Sequence, residues 1–392
     1  MRRLSFMLIA GEASGDLLAA ELVKAFQLSP EIRAMPFPPE FFGAGGPRMA
    51  EVGVELAVNL TQHTVIGLSD PLKKYWQFKR IFDQLFQLAT GREPDVIICV
   101  DFSWFNHHFA HAVKNFIRAR RGTFLNWDPK IVRYVSPQVW ASRPSRAHQL
   151  ERDVDLLLSI FPFEKGWYAR HAPGLRVEFV GHPIVDRYAS RRDELLTRWA
   201  SGTPVLLLLP GSRESELKRH LPVMLAVAQN MQSHGPLFLR MVLPSKPLAE
   251  LARPQTASVA PLHVQVGNLA ESLAAATVAI ASTGTVTVEC AYFGVPTVAI
   301  YKAAWSDYLV ARQIVRVKHL AMPNLLADEE IFPEFIQHKA TPQNITRAAL
   351  GLLHQPERRN AVKARLAQVT KSLGEPGASQ RAAKAILQLL PW

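Results

Sequence analysis

Short apolar runs alternate along this chain with longer segments whose apolar positions recur every three or four residues. Short runs bounded by turn residues read as buried strands, and the three-to-four spacing reads as amphipathic helix. Strands are predicted over 4–10, 96–101, 131–136, 155–160 and 177–181. The rhythm restarts with 204–209, 237–243, 262–266, 277–281 and 296–301. Strand and helix in alternation predict parallel α/β sheets. Each half opens alike, with a strand, a Gly-containing loop and a helix: SFMLIA-GEASGD-LLAAELVKAF first, then VLLLL-PGSRESE-LKRHLPVMLAVA. Two similar α/β units in tandem are expected, with the boundary just after Gly181-His182-Pro183. Residues 378–390 read as a closing amphipathic helix.

Composition narrows the picture. At 392 residues, 48% hydrophobic and 20% charged, the chain is globular rather than disordered or collagen-like, and long enough for two or three domains. Its two cysteines, Cys99 and Cys290, build no disulfide framework or zinc ribbon, which fits a reducing compartment. No apolar run approaches the ~20 residues of a spanning helix. Residues 1–10 imitate a signal peptide, but Glu12 and Asp16 follow at once, so they read as a first strand and a cytoplasmic protein is expected. The net charge of +12 calls for an acidic partner: a phosphorylated substrate, an anionic membrane or, less favoured without a finger or aromatic RNA signature, nucleic acid.

Several loops can carry chemistry. Gly11-Glu12-Ala13-Ser14-Gly15-Asp16 follows the first strand, where open α/β sheets bind ligands, although a plain turn with Asp16 as helix cap fits equally well. Pro210-Gly211-Ser212-Arg213 places a glycine, a permanent cation and a coming helix N-terminus together, the ingredients of an anion site or simply a capped turn. Ser282-Thr283-Gly284-Thr285 opens a helix carrying Glu289, which can accept from sugar hydroxyls or lie on the helix surface. Asp101 ends an apolar strand, the place of a general base or of a cap. Asp153-Val154-Asp155 precedes its strand instead of following it and is rejected as a metal motif. Of His107, His108 and His111, His107 and His111 share a helix face at metal-ligand spacing, but with no third ligand apparent they read as a solvated or partly packed face. In PLKKYWQFKRIFDQLFQ (71–87), Tyr75, Phe78, Phe82 and Leu85 share a face, while Lys73, Lys74, Lys79 and Arg80 supply charge. That composition suits an interfacial helix, or a core helix with a basic outer face.

In order along the chain, AGEASGD (Ala10–Asp16), GAGGPRM (Gly43–Met49), PDVIICVDFSWFN (Pro94–Asn106), YVSPQVWA (Tyr134–Ala141), FPFEKGWY (Phe161–Tyr168) and FVGHPIVD (Phe179–Asp186) precede LLPGSRESEL (Leu208–Leu217), STGTVTVEC (Ser282–Cys290), MPNLLA (Met322–Ala327) and PEFIQ (Pro333–Gln337). Together they resemble the lipid-A-disaccharide synthase family, inverting glycosyltransferases of the type-B architecture. The resemblance implies two Rossmann-like domains facing a cleft: an acceptor and membrane-facing domain (1–185), a UDP-sugar donor domain (186–375) and a C-terminal helix (376–392) returning to the first. It implies UDP-2,3-diacylglucosamine as donor, diacylglucosamine 1-phosphate as acceptor, no cofactor or metal, and a peripheral place on the cytoplasmic face of the inner membrane. A homodimer is compatible with it, and nucleic acid is not expected.

Residue by residue, it makes Asp101 the general base and puts Glu12, Ser14 and Asp16 on the acceptor side. Gly211, Ser212, Arg213, Glu216, Thr283, Gly284, Thr285, Glu289, Asn324 and Gln337 fall on the donor side, and Lys73, Lys74, Trp76, Lys79 and Arg80 at the membrane. The chain departs from the family pattern at Trp104, where a second aspartate is usual, and at Ser142, where tryptophan is. Ser-Thr-Gly-Thr replaces Ser-Gly-Thr, and Val65-Ile66-Gly67 and Asp70 differ from the usual Val-Met-Gly and glutamate. These departures keep open a related UDP-sugar transferase or epimerase with another acceptor, or a catalytically silent paralogue.

Overall fold

The computed structural model describes residues 3–61, 71–120, 122, 126–198, 202–257, 259 and 261–390; side chains 71–74, 198, 306, 307, 310 and 311 are outside that description. The segment with Val65, Ile66, Gly67 and Asp70 therefore lies outside the described residues, as do the side chains of Lys73 and Lys74.

Among the described residues thirteen strands form two wholly parallel sheets. The first has seven: β1 (Ser5–Ala10), β2 (Glu40–Gly45), β3 (Glu55–Asn59), β4 (Val96–Val100), β5 (Lys130–Tyr134), β6 (Leu156–Ser159) and β7 (Val177–Phe179), in the order β3-β2-β1-β4-β5-β6-β7. The second has six: β8 (Val205–Leu209), β9 (Phe238–Leu243), β10 (Leu262–Val266), β11 (Val278–Ser282), β12 (Thr297–Tyr301) and β13 (Glu334–Ile336), ordered β10-β9-β8-β11-β12-β13. In each, the chain winds outward from the first strand, then crosses over and winds the other way. That is the doubly wound Rossmann order, with a switch point beside the opening strand.

The chain forms two compact units. One runs from β1 to Pro183 and takes back the segment from Glu375; the other is Ile184–Gly374. In the first unit the closing helix Ala378–Leu387 packs on the helix Ala13–Leu28, and the Arg381 guanidinium donates to the Val180 carbonyl at 2.8 Å.

Strands buried on both faces explain the unbroken apolar runs: every residue of β1, β4 and β11 is buried. In the first unit Met7, Ile9, Ile97, Cys99 and Ile131 pack against Leu85 of the helix Pro71–Arg92 and against Phe105, Phe109 and Val113 of the helix Ser103–Ala119. In the second, Leu206, Leu208, Met241, Ile280 and Val298 pack under the helices Glu214–Gln232 and Pro342–His354. Strands β2, β3 and β13 escape the periodicity reading. β2 is EFFGAG, half glycine and alanine, while β3 and β13 are edge strands, short and only partly buried.

Among the described residues no helix is long and apolar enough to cross a membrane. The helix Pro71–Arg92 turns Phe78 and Phe82 inward, onto Phe102, Phe105 and Phe109. Tyr75, grouped with them by spacing, is instead exposed beside Trp76, and Lys79 lies over the Trp76 ring at 5.3 Å. Arg80 is exposed too. This helix thus has an apolar inner face and an aromatic, basic outer one.

Candidate functional site

In the first unit the switch point falls between β1 and β4, so the loops after those two strands flank it. Gly11–Asp16 follows β1 and Asp101 follows β4. Asp101 and Phe102 both adopt left-handed backbone, φ +45° each, a conformation costly for residues with a Cβ. Its supports are visible. The Asp101 amide donates to the Tyr134 carbonyl at 2.9 Å. The fully buried Asn106 amide nitrogen donates to the carbonyls of Ile9, Val100 and Asp101 at 2.9–3.2 Å, tying β1 to β4 at the point of strain. Asn106 stands in the DFSWFN motif, but only the fold shows what it holds.

Gly11 and Gly15 let the first loop close on this corner. A Cβ on Gly11 would meet the Phe102 ring at 2.2 Å, and one on Gly15 would lie 3.8 Å from the Asp101 Cβ. Asp101 therefore sits against the first turn of Ala13–Leu28 and just ahead of the helix Ser103–Ala119, at two positive helix ends. Glu12, the N-cap of the first helix, is half-buried, and Ser14 is exposed.

Asp16, expected to line the acceptor side, is instead only 2% exposed and committed to backbone. Its Oδ1 accepts from the Gly46 and Met49 amides at 2.8 and 3.0 Å, and its Oδ2 from Arg48 at 3.0 Å. It caps the helix Pro47–Glu51, which is why GEASGD and GAGGPRM occur together.

Beneath this corner lies Arg133 on β5, 2% exposed, with Nε and both terminal nitrogens lacking a hydrogen-bond partner. Burial lowers its pKa, while the thiol of Cys99, the Asp101 carboxylate and Tyr168 attract its charge. Beside it a buried polar set locks two motifs. Trp140 donates its indole N–H to Glu164 at 3.0 Å, the Phe161 amide donates to the same carboxyl at 3.4 Å, and Ser136 pairs with the Tyr168 hydroxyl at 3.1 Å. Burial pushes Glu164 up to about 7, against the hydrogen bonds that hold it down. The three histidines face different partners: His108 the Trp104 carbonyl, His111 the buried Asp153, and His107 the side chain of Gln149. Trp104 is 56% exposed and stacks near His108.

In the second unit the switch point lies between β8 and β11, and again the two loops singled out from the sequence follow those strands. Gly211 has φ +123°, and a Cβ there would lie 2.4 Å from Glu216 Oε2. That oxygen accepts from the Ser212 amide at 3.1 Å, and the carboxylate's other oxygen is 3.8 Å from the Arg213 guanidinium. Glu216 thus folds the turn from inside the first turn of Glu214–Gln232. Arg213 itself is largely exposed.

After β11, Thr283 is half-buried and Gly284 and Thr285 are exposed; Gly284 has φ +134° with open space where a Cβ would stand. The helix Thr285–Tyr292 begins here, and the Thr287 hydroxyl donates to the Gly284 carbonyl at 2.7 Å. Glu289, half-buried on that helix, accepts from the Tyr188 hydroxyl at 3.0 Å, and burial raises its pKa.

Two residues expected to touch the donor are occupied otherwise. Asn324 is fully buried and uses all four hydrogen-bond positions: it donates to Phe332 O and Glu334 Oε1 and accepts from the Ile331 and Phe332 amides. Gln337, 5% exposed and left-handed at φ +51°, accepts from the Ala303 amide at 2.8 Å and donates to the Ala303 carbonyl at 3.2 Å. Buried amides meet such backbone partners because leaving them unpaired costs more than the bond returns. Both residues hold the chain around β12 and β13 through these bonds.

His220 went unnoticed in the sequence, one histidine on the apolar face of a helix. It is fully buried. Its Nδ1 donates to the Pro210 carbonyl at 2.7 Å and its Nε2 accepts from the Lys302 amide at 3.0 Å. The ring is therefore the neutral Nδ1–H tautomer, and burial lowers its pKa. It ties the loop after β8 to the chain leaving β12.

Two doubly wound units, each with glycine loops at its switch point, define the type-B architecture of glycosyltransferases and sugar-nucleotide epimerases. Solved structures agree on the fold. A UDP-GlcNAc 2-epimerase from Methanocaldococcus jannaschii matches with a TM-score of 0.61 at 12% identity, covering 99% of this chain and 100% of its own. MurG from Acinetobacter baumannii matches at 0.55 and 15%, over 99% and 100%. Within that class the chain belongs to the lipid-A-disaccharide synthetase family, whose model matches residues 6–389. The lipid-A-disaccharide synthase of Geobacter sulfurreducens is 36% identical over 392 residues, 98% of this chain and 97% of that one. Its counterpart in Anaeromyxobacter dehalogenans is 35% identical over 393 residues, with the same coverage.

Proposed function

We propose that this protein transfers 2,3-diacylglucosamine from UDP-2,3-diacylglucosamine to the 6-hydroxyl of 2,3-diacylglucosamine 1-phosphate. The products are the β-1,6-linked disaccharide 1-phosphate and UDP. The observation carrying this reading is the corner at Asp101. A carboxylate held on strained backbone at the switch point, between two helix N-termini, is placed as a general base is placed.

In a single displacement the acceptor's 6-oxygen attacks the donor's anomeric carbon as its proton passes to Asp101. The bond from that carbon to the diphosphate oxygen breaks, and its electron pair leaves with UDP, so the centre inverts. The charge appearing on the diphosphate meets Arg213 and the helix ends after Gly211 and Gly284. These groups support a reaction that needs no divalent ion. Glu289, fixed by Tyr188, is assigned to the ribose hydroxyls, with Thr283 and Thr285 on the phosphates. Glu12 and Ser14 take the acceptor side. The outer face of Pro71–Arg92, with Trp76, Lys79 and Arg80, is assigned to the cytoplasmic leaflet of the inner membrane, where both lipid substrates reside.

The test mixes purified protein with both lipids in detergent micelles, with and without EDTA, and follows UDP and the lipid product by mass spectrometry. Disaccharide phosphate formed equally in EDTA, and a loss of at least 10²-fold in kcat for Asp101→Asn with UDP affinity retained, are the expected results. Full turnover by Asp101→Asn would remove the base assignment. UDP binding without disaccharide would point to a different acceptor.

A further inference from the structure

The helix Trp305–Ile314 in the second unit exposes what a soluble helix normally buries. Trp305 is 63% exposed, Leu309 is 55% exposed, and Val315 just beyond the helix is 36% exposed. Trp305, Leu309 and Arg312 are spaced four and three apart, so they share one face. Arg312 and Arg316 are exposed as well. Between positions 302 and 319 the sequence has four lysines and arginines (Lys302, Arg312, Arg316 and Lys318) against one acid, Asp307. Lys318 is paired with Asp328 at 3.4 Å.

The location gives this face its meaning. The helix begins four residues after β12 ends at Tyr301, at the carboxyl edge of the sheet, where the donor loops also lie. The connecting residues are pinned: the Lys302 amide to His220, which also holds Pro210, and Ala303 to Gln337. The aromatic, basic face is thus tied, through His220, to the Pro210–Arg213 loop.

We infer that Trp305, Leu309, Arg312, Val315 and Arg316 form a bilayer contact belonging to the second unit, with an anionic lipid surface as its partner. The inference rests on the reading that this unit holds a diacylated UDP-sugar. Each methylene withdrawn from a bilayer into water lowers partitioning about fourfold, so two acyl chains cannot follow a nucleotide into solvent. The unit that grips the nucleotide must therefore meet the membrane itself. A tryptophan and an aliphatic side chain suit the headgroup boundary, and the arginines suit anionic headgroups.

The test uses the full chain with vesicles of phosphatidylglycerol and phosphatidylcholine, and with phosphatidylcholine alone, read by flotation. Arg312→Gln/Arg316→Gln is expected to weaken binding to the anionic vesicles about thirtyfold. Trp305→Ser/Leu309→Ser is expected to weaken it comparably, and Trp305→Phe to remove a share of the tryptophan quenching by brominated lipid. All three should bind UDP within about twofold of wild type, which shows the unit is folded. Unchanged vesicle binding by both double variants overturns the inference. So does loss of a dimer in sedimentation with vesicle binding intact, which would make the face a self-association surface. The donor reading is checked separately by wild-type turnover in micelles: no UDP released there removes that reading, whatever the vesicles show.

Discussion

His220 offers the most direct test of how the Pro210–Arg213 loop is held. Its ring is fully buried and spans two backbone groups, the Pro210 carbonyl at 2.7 Å and the Lys302 amide at 3.0 Å. His220→Leu removes both partners at once. Each backbone group left unpaired costs about 1–3 kcal/mol, so the variant should lose about 2–6 kcal/mol, a large part of the 5–15 kcal/mol typical of a domain. His220→Asn divides the effect. Its amide can still donate to Pro210 but is too short to accept from Lys302, so a loss of about 1–3 kcal/mol is expected. If the latch orders the loop for UDP, that cost should appear in binding as a Kd about 5- to 150-fold higher by calorimetric titration.

The pH dependence is distinct. Burial lowers the imidazole pKa below its ordinary 6.5, so on acidification the unfolded chain takes the proton first. Stability should therefore fall as pH drops below 6.5 in wild type, and this component should be missing from His220→Asn. Glu216, Lys302 and Arg219 act on the same ring, so the comparison is made against the variant, not against a bare pH curve. A folded His220→Leu protein that binds UDP as wild type does would refute the latch.

Asp16→Asn should cost about 1.5–3 kcal/mol, because Oδ1 keeps its two amides while the new NH₂ faces the Arg48 N–H; a melting temperature equal to wild type would show the cap is not needed. Glu164, held near 7 against 4.5 when unfolded, keeps its proton in the fold through a window where the unfolded chain has released it. Stability should fall as pH rises from 4.5 to 7, and Glu164→Gln, whose NH₂ meets the Phe161 N–H, should remove that slope, checked by denaturant titration at pH 4 and pH 8. Arg133→Met replaces a buried, unpartnered guanidinium by an apolar side chain and should stabilise by about 1–4 kcal/mol in denaturant. The same variant should lower kcat/KM and move the acid limb of its pH profile upward, because a cation attracted to Asp101 is gone; a less stable protein with an unchanged profile would contradict both parts.

Much of this molecule is determined locally. Strands buried on both faces need continuous apolar runs, so β1, β4, β8 and β11 stand out from their residues alone. The loops that follow β1 and β8 stand out through glycines next to charge, and the one after β4 through Asp101. The family likeness adds roles to Asp101, Arg213 and Glu289. Local sequence says little about β2, β3 and β13, where burial is partial and glycine or brevity erases the period. It says nothing about strand order, and strand order puts all four loops at switch points.

The tertiary structure also shows which of the residues picked out by motif hold backbone around the switch points. Asp16, Asn324 and Gln337 look like site residues by motif, yet each is buried and bonded within the protein, chiefly to main chain. His220 looks like nothing in the sequence and proves to join Pro210, after β8, to Lys302, after β12. The reason is physical. A polar side chain's partners are set by what packing brings within about 3 Å, and in a doubly wound sheet those groups come from strands far apart in the chain.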